Sequence, residues 1–314
     1  MAQNKQLPLF PHQPARPEDM TKQTPIGATL DLFANSLRQE GKSEHTLKAF
    51  LGDMQLLLER CGADMAIGNF STPYLNDYLK WMEHGRGVPC SQKTYARRVT
   101  TLKVYFKWLH AVKAIAHDPA KALLQRSGPA PLSHVLSEAQ VQEALRVAQA
   151  MKRGDEVDYR AELILRLLLE TGIKKSETER LKLADVVYQD PNNATVVVRH
   201  DANNVYKERI LPISPELVRV YVLYLRQYLP KDAVFTCTTR NLEYIITDIG
   251  QVADIPFKLS FENLRWTMAV RDWRRGLEED TIREKLGLSR ISWYETSHKI
   301  RQLVEQQIEE DGGL

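Results

Sequence analysis

A run of basic side chains between residues 84 and 117 is the clearest chemical feature of the sequence, because this run contains no aspartate or glutamate. Its basic residues are Arg86, Lys93, Arg97, Arg98, Lys103, Lys107 and Lys113. Two pairs of them are spaced i,i+4, so they would be neighbours on one face of a helix. The aromatic residues interleaved with them are Tyr95, Tyr105 and Trp108. This pattern predicts a basic and aromatic surface that binds nucleic-acid phosphates with a strong dependence on salt; the alternative is a surface helix that is basic by chance.

Other chemistries have little support in the sequence. Ser297 and His298 invite comparison with a serine nucleophile and its histidine base, but adjacent residues on a helix point about 100° apart and cannot readily pair. The three cysteines lie far apart and form no C-x-x-C pair, and the eight histidines show no metal-ligand spacing. We therefore expect no disulfide framework, no metal site and no cofactor.

The composition is typical of a globular protein with two domains. A chain of 314 residues is long enough to form two hydrophobic cores. The net charge is only +3, so affinity for nucleic acid must come from the distribution of charge. No apolar run approaches the ~20 residues of a membrane span, and the N-terminus lacks the pattern of a secretory signal. We expect a cytoplasmic protein that makes no membrane contact.

Hydrophobic periodicity predicts an all-helical first domain over residues 26–117. Ser43 is the expected cap of a helix over 44–60, Thr72-Pro73 begins a third helix, and Ser91 begins a fourth that runs to about residue 110. Residues 1–25 are rich in Pro, Gln and Lys without periodicity, and they predict a disordered arm. Residues 118–135 include Gly128-Pro129-Ala130-Pro131 and predict an extended linker.

The second domain is predicted over residues 136–314, as a mixture of helices and a small β-sheet. Ser137 and Gln140 have the pattern of a capping box at the start of two successive helices. Strands are predicted at 195–199, 208–213 and 233–237, with a turn at 201–204 between the first two. Further helices are predicted at 215–228, 239–253, 260–276, 278–286 and 290–310. The fold class is therefore mainly α with a small β-sheet.

Several sequence blocks, taken in order, resemble the tyrosine recombinase (phage integrase) family over residues 26–310. In the first domain the blocks are Ser43-Glu44-His45-Thr46 and Ser91-Gln92-Lys93-Thr94. In the second, Thr171-Gly172-Ile173-Lys174-Lys175-Ser176-Glu177 is similar to T-G-L-R-x-S-E, and Lys207-Glu208-Arg209-Ile210-Leu211-Pro212-Ile213 is similar to K-E-R-x-x-P-L. The resemblance implies a helical core-binding (SAM-like) domain, an α+β catalytic-type domain, and double-stranded DNA as the partner.

The resemblance also implies a chemistry, in which a tyrosine hydroxyl attacks a DNA phosphodiester. Two arginines hold the phosphate, and a lysine and a histidine assist proton transfer. Lys174 stands at the position of the first arginine and Arg265 at that of the second. Asn204 stands at the position of the lysine, and Glu262 and Leu288 stand at those of the first and the later histidine. Ser297 stands at the position of the tyrosine. Only Arg265 keeps the residue type that the family chemistry uses, and Lys207 is the nearest substitute for the missing lysine.

These replacements predict a cavity that no longer grips a phosphate. Glu262 is spaced i,i+3 from Arg265, so we expect the two to pair and neutralise each other. Trp266 and Leu288 are expected to fill the pocket with apolar side chains. Tyr294 lies one turn before Ser297 and is either a packing residue or, after a register shift, an alternative nucleophile.

Three hypotheses for function follow. The first is a catalytically impaired DNA-binding protein that clamps duplex DNA as an accessory or regulatory subunit in DNA recombination or integration, together with further copies of itself or an active recombinase. The second is an active recombinase with a rearranged site in which Tyr294 is the nucleophile. The third is a protein-interaction scaffold without DNA binding. The predicted DNA contacts are Lys93, Arg97, Arg98, Lys103, Lys107 and Lys207.

Overall fold

A computed structural model describes residues 14–88, 90–125, 131–200 and 207–312 of the chain. The chain divides into two compact units between residues 130 and 131, within the segment in which the linker was predicted. The predicted linker residues 126–130 and the predicted turn at 201–204 lie outside the described residues.

The first unit is helical, as the sequence predicts. Its α-helices are α1 (Leu30–Gln39), α2 (Glu44–Cys61), α3 (Thr72–Lys80) and α4 (Gln92–Ala111). Short 3₁₀ turns occur at Pro17–Asp19, Ile26–Thr29 and Ile67–Asn69, and a π-helical turn, Trp81–Gly85, follows α3. The hydroxyls of Ser43, Ser71 and Ser91 each accept a hydrogen bond from a backbone N–H in the first turn of the following helix.

The aromatic residues of α4 lie in the core of the first unit. Tyr105 is fully buried and Tyr95 and Trp108 nearly so. The rings of Phe33 and Tyr105 pack edge to face with centroids 5.1 Å apart, and the Tyr105 hydroxyl lies 2.6 Å from Thr29 Oγ1. The prediction of an aromatic–basic surface was therefore wrong for these three rings. They form the apolar stripe of the helix, and only the basic residues remain candidates for the surface.

Part of the predicted N-terminal arm packs against the first unit. Met20 is 5% exposed, and the backbone N–H groups of Ile67 and Gly68 donate to the carbonyls of Thr24 and Lys22. The prediction of disorder was therefore wrong for residues 14–25, whose apolar anchor and backbone bonds give them fixed positions. Residues 1–13 of the predicted arm lie outside the part of the chain that the structure describes.

The second unit contains the remaining helices, arranged around α6. They are α5 (Glu138–Ala150), α6 (Tyr159–Thr171), α7 (Lys175–Arg180), α8 (Pro215–Tyr228), α9 (Thr239–Val252), α10 (Phe261–Arg274), α11 (Glu279–Lys285) and α12 (Arg290–Gly312). Helix α6 packs against α5, α8, α9 and α10, and its apolar run over 163–169 is buried except for Arg166. The capping box predicted at Ser137 and Gln140 is present.

Two small sheets accompany these helices. A two-stranded ribbon pairs β1 (Lys152–Arg153) with β2 (Glu156–Val157), and an antiparallel sheet has the order β3 (Val186–Val187), β4 (Thr195–Val198), β5 (Arg209–Pro212). The strand predicted at 233–237 was wrong, because that segment makes only an isolated bridge between Ala233 and Lys182. The third strand is β3 instead, which is too short to give a periodic sequence signal. None of the helices in the described ranges has the length and apolar character to cross a membrane.

Candidate active-site cavity and basic helix

The turn between α6 and α7 requires a glycine and positions Lys174. Gly172 adopts a left-handed conformation with φ +59° and ends α6 by donating its N–H to Leu168 O at 2.9 Å. A Cβ on Gly172 would overlap the terminal methyl of Met268 on α10. Tight packing of this turn against α10 therefore fixes Lys174, two residues later, at the start of α7.

A buried ion pair holds this turn to the sheet. Glu177 accepts hydrogen bonds from Arg209 Nη1 and Nη2 at 3.1 and 2.8 Å, and both side chains are less than 10% exposed. Glu177 also accepts from the Lys174 backbone N–H at 2.7 Å and lies 3.2 Å from His200 Nε2. Burial raises the pKa of Glu177, but the bonds and charge of Arg209 outweigh that effect and hold the pKa at about 2. The carboxylate is therefore ionised and structural.

The Arg209 guanidinium joins this network to the end of α11. Its Nε donates to Lys285 O at 2.9 Å. The turn after α11 also requires a glycine, Gly287. A Cβ at this position would lie 2.9 Å from Arg209 Nη1, and the residue has φ +58°. Glu177 and Arg209 both lie in the sequence blocks that carried the family resemblance, but their pairing was not predicted because it joins residues 32 positions apart.

Arg265 is held by backbone carbonyls. Its Nη1 donates to Gly172 O and its Nη2 to Leu286 O, so it bridges the C-terminal ends of α6 and α11. Helix C-terminal carbonyls carry partial negative charge and suit a cation at this place. Burial lowers the pKa of Arg265 to about 10, with Glu177 opposing the shift and Arg209 adding to it. The guanidinium is therefore charged, oriented by two helices, and without a carboxylate hydrogen bond in the described structure.

An open cavity of about 530 Å³ lies beside Arg265. Its walls include Lys174, Lys175, Glu243, Glu262, Arg265, Trp266, Leu288 and Thr296. The expectation that Trp266 and Leu288 fill the pocket was wrong, because both are partly buried in its walls and pack against a neighbouring apolar cluster. The two side chains therefore line the cavity without closing it.

Glu262 does not neutralise Arg265 by pairing with it. Glu262 is exposed, and no ion pair within 4 Å joins it to Arg265 in the described residues. The prediction of an i,i+3 pair was wrong because the two carbonyl bonds hold the guanidinium toward α6 and α11. The other lining carboxylate, Glu243, is paired with Lys175 at 2.8 Å.

Lys174 is half-buried in the cavity wall among other cations. Burial lowers the pKa of its amine, and the nearby charges of Arg265, Arg209 and Lys207 lower it further, while Glu177 opposes them. Lys207 itself is partly buried, and its carbonyl accepts a bond from Arg209 Nη1 at 3.2 Å. Asn204 lies outside the described residues.

The two hydroxyls predicted on the last helix occupy opposite environments. Ser297 is 7% exposed, and its Oγ donates to Tyr294 O at 3.2 Å within its own helix. Tyr294 is 84% exposed, so the interpretation of this residue as a packing residue was wrong; Trp293 alone packs. Among the lining residues that the structure describes, no tyrosine contributes to the cavity.

The basic residues of α4 fall into two groups. Arg97 Nη1 donates to Asp53 Oδ2 at 2.7 Å, and Arg98 is buried with its Nε 3.6 Å from Asp53 Oδ1. Lys93 and Lys107 are exposed and Lys103 is half-buried. The Asp53 carboxylate on α2 lies within 4 Å of both guanidinium groups, and the role of Arg97 and Arg98 as DNA contacts stays a prediction. The three lysines lie within about 80° of one another around the helix axis.

No group of three or more histidine, cysteine, aspartate or glutamate residues with the arrangement of a metal site occurs within the described ranges.

Solved structures of DNA recombinases share this fold. The XerH site-specific recombinase, bound to a palindromic difH substrate in a post-cleavage complex, superposes with a TM-score of 0.70 at 15% identity, over 92% of this chain and 84% of that one. A lambda integrase dimer bound to a COC′ core site gives a TM-score of 0.69 at 14% identity, over 93% and 83% of the two chains. At these identities the likeness concerns the fold.

Sequence comparison defines the family. The profile described as "Phage integrase family" matches residues 134–299, more than half of the chain, and "Phage integrase, N-terminal SAM-like domain" matches residues 30–113. The chain belongs to the phage integrase family. It is 32% identical over 166 residues to tyrosine recombinase XerC of Mycobacterium sp. (strain KMS), and 32% identical over 162 residues to that of Mycobacterium leprae (strain TN). Each match covers 51% of this chain and 54% of the relative, so the chain spans about half the length of these curated relatives.

Proposed function

We propose that this chain is a DNA-binding member of the phage integrase family with impaired strand cleavage, acting as an accessory or regulatory subunit in DNA recombination or integration. Its partners would be double-stranded DNA and either further copies of itself or an active recombinase. The fold similarity to recombinases solved on DNA supports the DNA part of this proposal.

The composition of the cavity wall supports impaired strand cleavage. The cavity brings together the cations Lys174 and Arg265, yet its described lining contains no tyrosine hydroxyl. Ser297, at the position where the family resemblance expects the nucleophile, is buried and bonded to its own helix. A site that keeps positive charge but lacks a tyrosine hydroxyl is suited to holding a phosphodiester without forming a phosphotyrosine bond to it.

The exposed lysines of α4 supply the proposed DNA contacts. Lys93 and Lys107 are 14 residues apart, which places them about 21 Å apart along the helix axis. Neither forms an ion pair in the described residues, so neither must break one to reach a phosphate. Arg97 and Arg98 are assigned a structural role instead, because both guanidinium groups lie against the Asp53 carboxylate.

Binding of a fluorescent DNA duplex by the full chain, measured by anisotropy over a range of salt concentrations, tests this proposal. The Lys107→Glu variant should bind more weakly. Its affinity should also depend less steeply on salt, with the slope of log affinity against log salt smaller in magnitude by about 1 or more. Lys80→Glu is the matched control, since Lys80 is also an exposed lysine on a helix of the same unit. Salt-independent binding, or equal effects of the two variants, would contradict the proposed interface. Absence of binding would favour a scaffold without DNA binding.

A second candidate function rests on Tyr294. Its side chain is 84% exposed and lies one turn before Ser297 on α12, so its hydroxyl is free to meet a phosphate if α12 shifts. This candidate is an active recombinase in which Tyr294 attacks DNA. A covalent protein–DNA adduct that disappears in Tyr294→Phe would favour it over impaired cleavage.

A further inference from the structure

The cavity contains an amine in a setting that favours covalent chemistry with an aldehyde. Lys174 replaces the arginine that the family resemblance places at this position, and a guanidinium cannot form an imine, whereas a lysine amine can. Lys174 is half-buried in the wall of an open cavity of about 530 Å³, which is within the ~300–1,000 Å³ range of small-molecule sites. No carboxylate lies within 4 Å of its Nζ in the described residues.

Resting on the proposed DNA binding, we infer that Lys174 forms an imine with the ring-opened aldehyde of an abasic deoxyribose in DNA. The Arg265 guanidinium lines the same cavity and would meet an adjacent phosphate with the N–H groups that its two carbonyl partners leave unused. An abasic sugar has no base to stack or pair, so it leaves the duplex at a lower cost than an intact nucleotide.

The bond changes balance without an external oxidant or reductant. The lone pair of Lys174 Nζ attacks C1′, and the resulting carbinolamine loses the former carbonyl oxygen as water to give the imine. Removal of a proton from C2′ then expels the 3′-phosphate by β-elimination, and water hydrolyses the imine to regenerate the amine. Glu262 is the lining carboxylate assigned to take the C2′ proton, since Glu243 is engaged by Lys175.

The electrostatics of the cavity also favour imine formation by Lys174. Burial and the charges of Arg265, Arg209 and Lys207 lower the pKa of Lys174 and so increase the fraction of neutral, nucleophilic amine at neutral pH. Lys175, the other lysine of the cavity wall, is engaged by an ion pair with Glu243 at 2.8 Å.

The test uses the full chain, a duplex with one abasic site, and sodium borohydride, which reduces an imine to a stable covalent adduct. We expect an adduct that resists denaturing electrophoresis, none with the undamaged duplex, and at least a roughly tenfold loss of adduct in Lys174→Arg. Lys182→Arg is the control, an exposed lysine on the same unit and outside the cavity. Glu262→Gln should keep the trapped adduct but slow strand scission, which separates its proton-transfer role from imine formation.

Two readouts keep the outcomes distinct. Lys174→Arg restores the residue type expected from the family and retains the charge, and its melting temperature, compared with that of the wild type, verifies that it folds. Anisotropy on the same abasic duplex measures binding independently of trapping. Binding without an adduct, or an adduct that survives in Lys174→Arg and is lost in Lys175→Arg, would overturn the imine while leaving the proposed function intact. Absence of binding would overturn both.

Discussion

Replacing Glu177 by glutamine should strongly destabilise the second unit, because it removes one partner of a buried ion pair. The Glu177 and Arg209 side chains are 4% and 7% exposed, and two hydrogen bonds join them. Glutamine keeps the size of the side chain but replaces one of the two accepting oxygens with an NH2 group, which cannot accept from the guanidinium donor that faces it. The Arg209 charge would then remain in the interior without an opposite charge beside it.

The expected loss of stability in Glu177→Gln follows both from the burial of the pair and from the lowered pKa. Removing one member of a buried pair costs about 3–5 kcal/mol. Separately, a pKa of about 2 instead of the ordinary 4.5 corresponds to about 3 kcal/mol of preferential stabilisation of the ionised carboxylate in the folded state. For a unit of this size, a loss of about 3 kcal/mol lowers the melting temperature by roughly 6–12 °C.

The effect should depend on pH with a defined sign. The pKa of Glu177 is lower in the folded state than in the unfolded state, so its contribution is fully present above pH 4.5. As the pH falls from 4.5 towards 2, the unfolded state takes up the proton first and the contribution is lost. The stability difference between the wild type and Glu177→Gln should therefore shrink across that range and be constant above it.

Differential scanning calorimetry and urea denaturation of the full chain provide the measurement. The matched control is Glu243→Gln, which breaks the pair with Lys175, where both side chains are more than 40% exposed. Exposed pairs contribute about 0–1 kcal/mol, so the control should melt within a few degrees of the wild type. Equal losses in the two variants, or a loss of under about 1 kcal/mol in Glu177→Gln, would refute the structural role assigned to this pair.

Two further predictions concern backbone and core. Gly172→Ala should cost about 1–2 kcal/mol from its positive φ plus a clash with α10, whereas Gly276→Ala, at φ +78° with no neighbour within 4 Å of a Cβ, should cost only the strain. Equal calorimetric losses would show that the packing of Gly172 against α10 is unimportant. Tyr105→Phe should cost about 0.5–1.5 kcal/mol because it removes the buried 2.6 Å hydrogen bond to Thr29, whose hydroxyl keeps its own bond to Ile26 O. The exposed control, Tyr244→Phe, should change stability by under about 0.5 kcal/mol, and an equally small effect at Tyr105 would contradict this reasoning.

Local sequence signals predicted most elements of the fold. The caps at Ser43, Ser91 and Ser137 lie where the sequence indicated, because a cap depends on residues within four positions of each other. The segment at 233–237 was read as a strand from its residue types, but strand pairing depends on partners distant in sequence, and none pairs with it along its length. For the same reason, the packing of Met20 against the first unit gave no periodic signal.

The sequence indicated which residues form the candidate site but did not indicate the hydrogen bonds that hold them. The sequence identified Lys174, Glu262 and Arg265, and the structure brings all three to one cavity. It did not predict that carbonyls of α6 and α11 would hold Arg265, since helix spacing favours the nearer Glu262. The basic helix shows the same limit. Its positive charge can be read from the sequence, whereas the contact of Arg97 and Arg98 with Asp53 depends on how α2 packs against α4.

The most direct measurement for the central claim is covalent trapping on an undamaged, nicked suicide duplex, in which strand cleavage releases a short fragment and cannot reverse. We predict that the chain shifts this duplex in native electrophoresis and forms no adduct that survives denaturation, because the cavity has no tyrosine among its described lining residues. A denaturation-resistant adduct that is lost in Tyr294→Phe and retained in Ser297→Ala would contradict the account and establish an active recombinase.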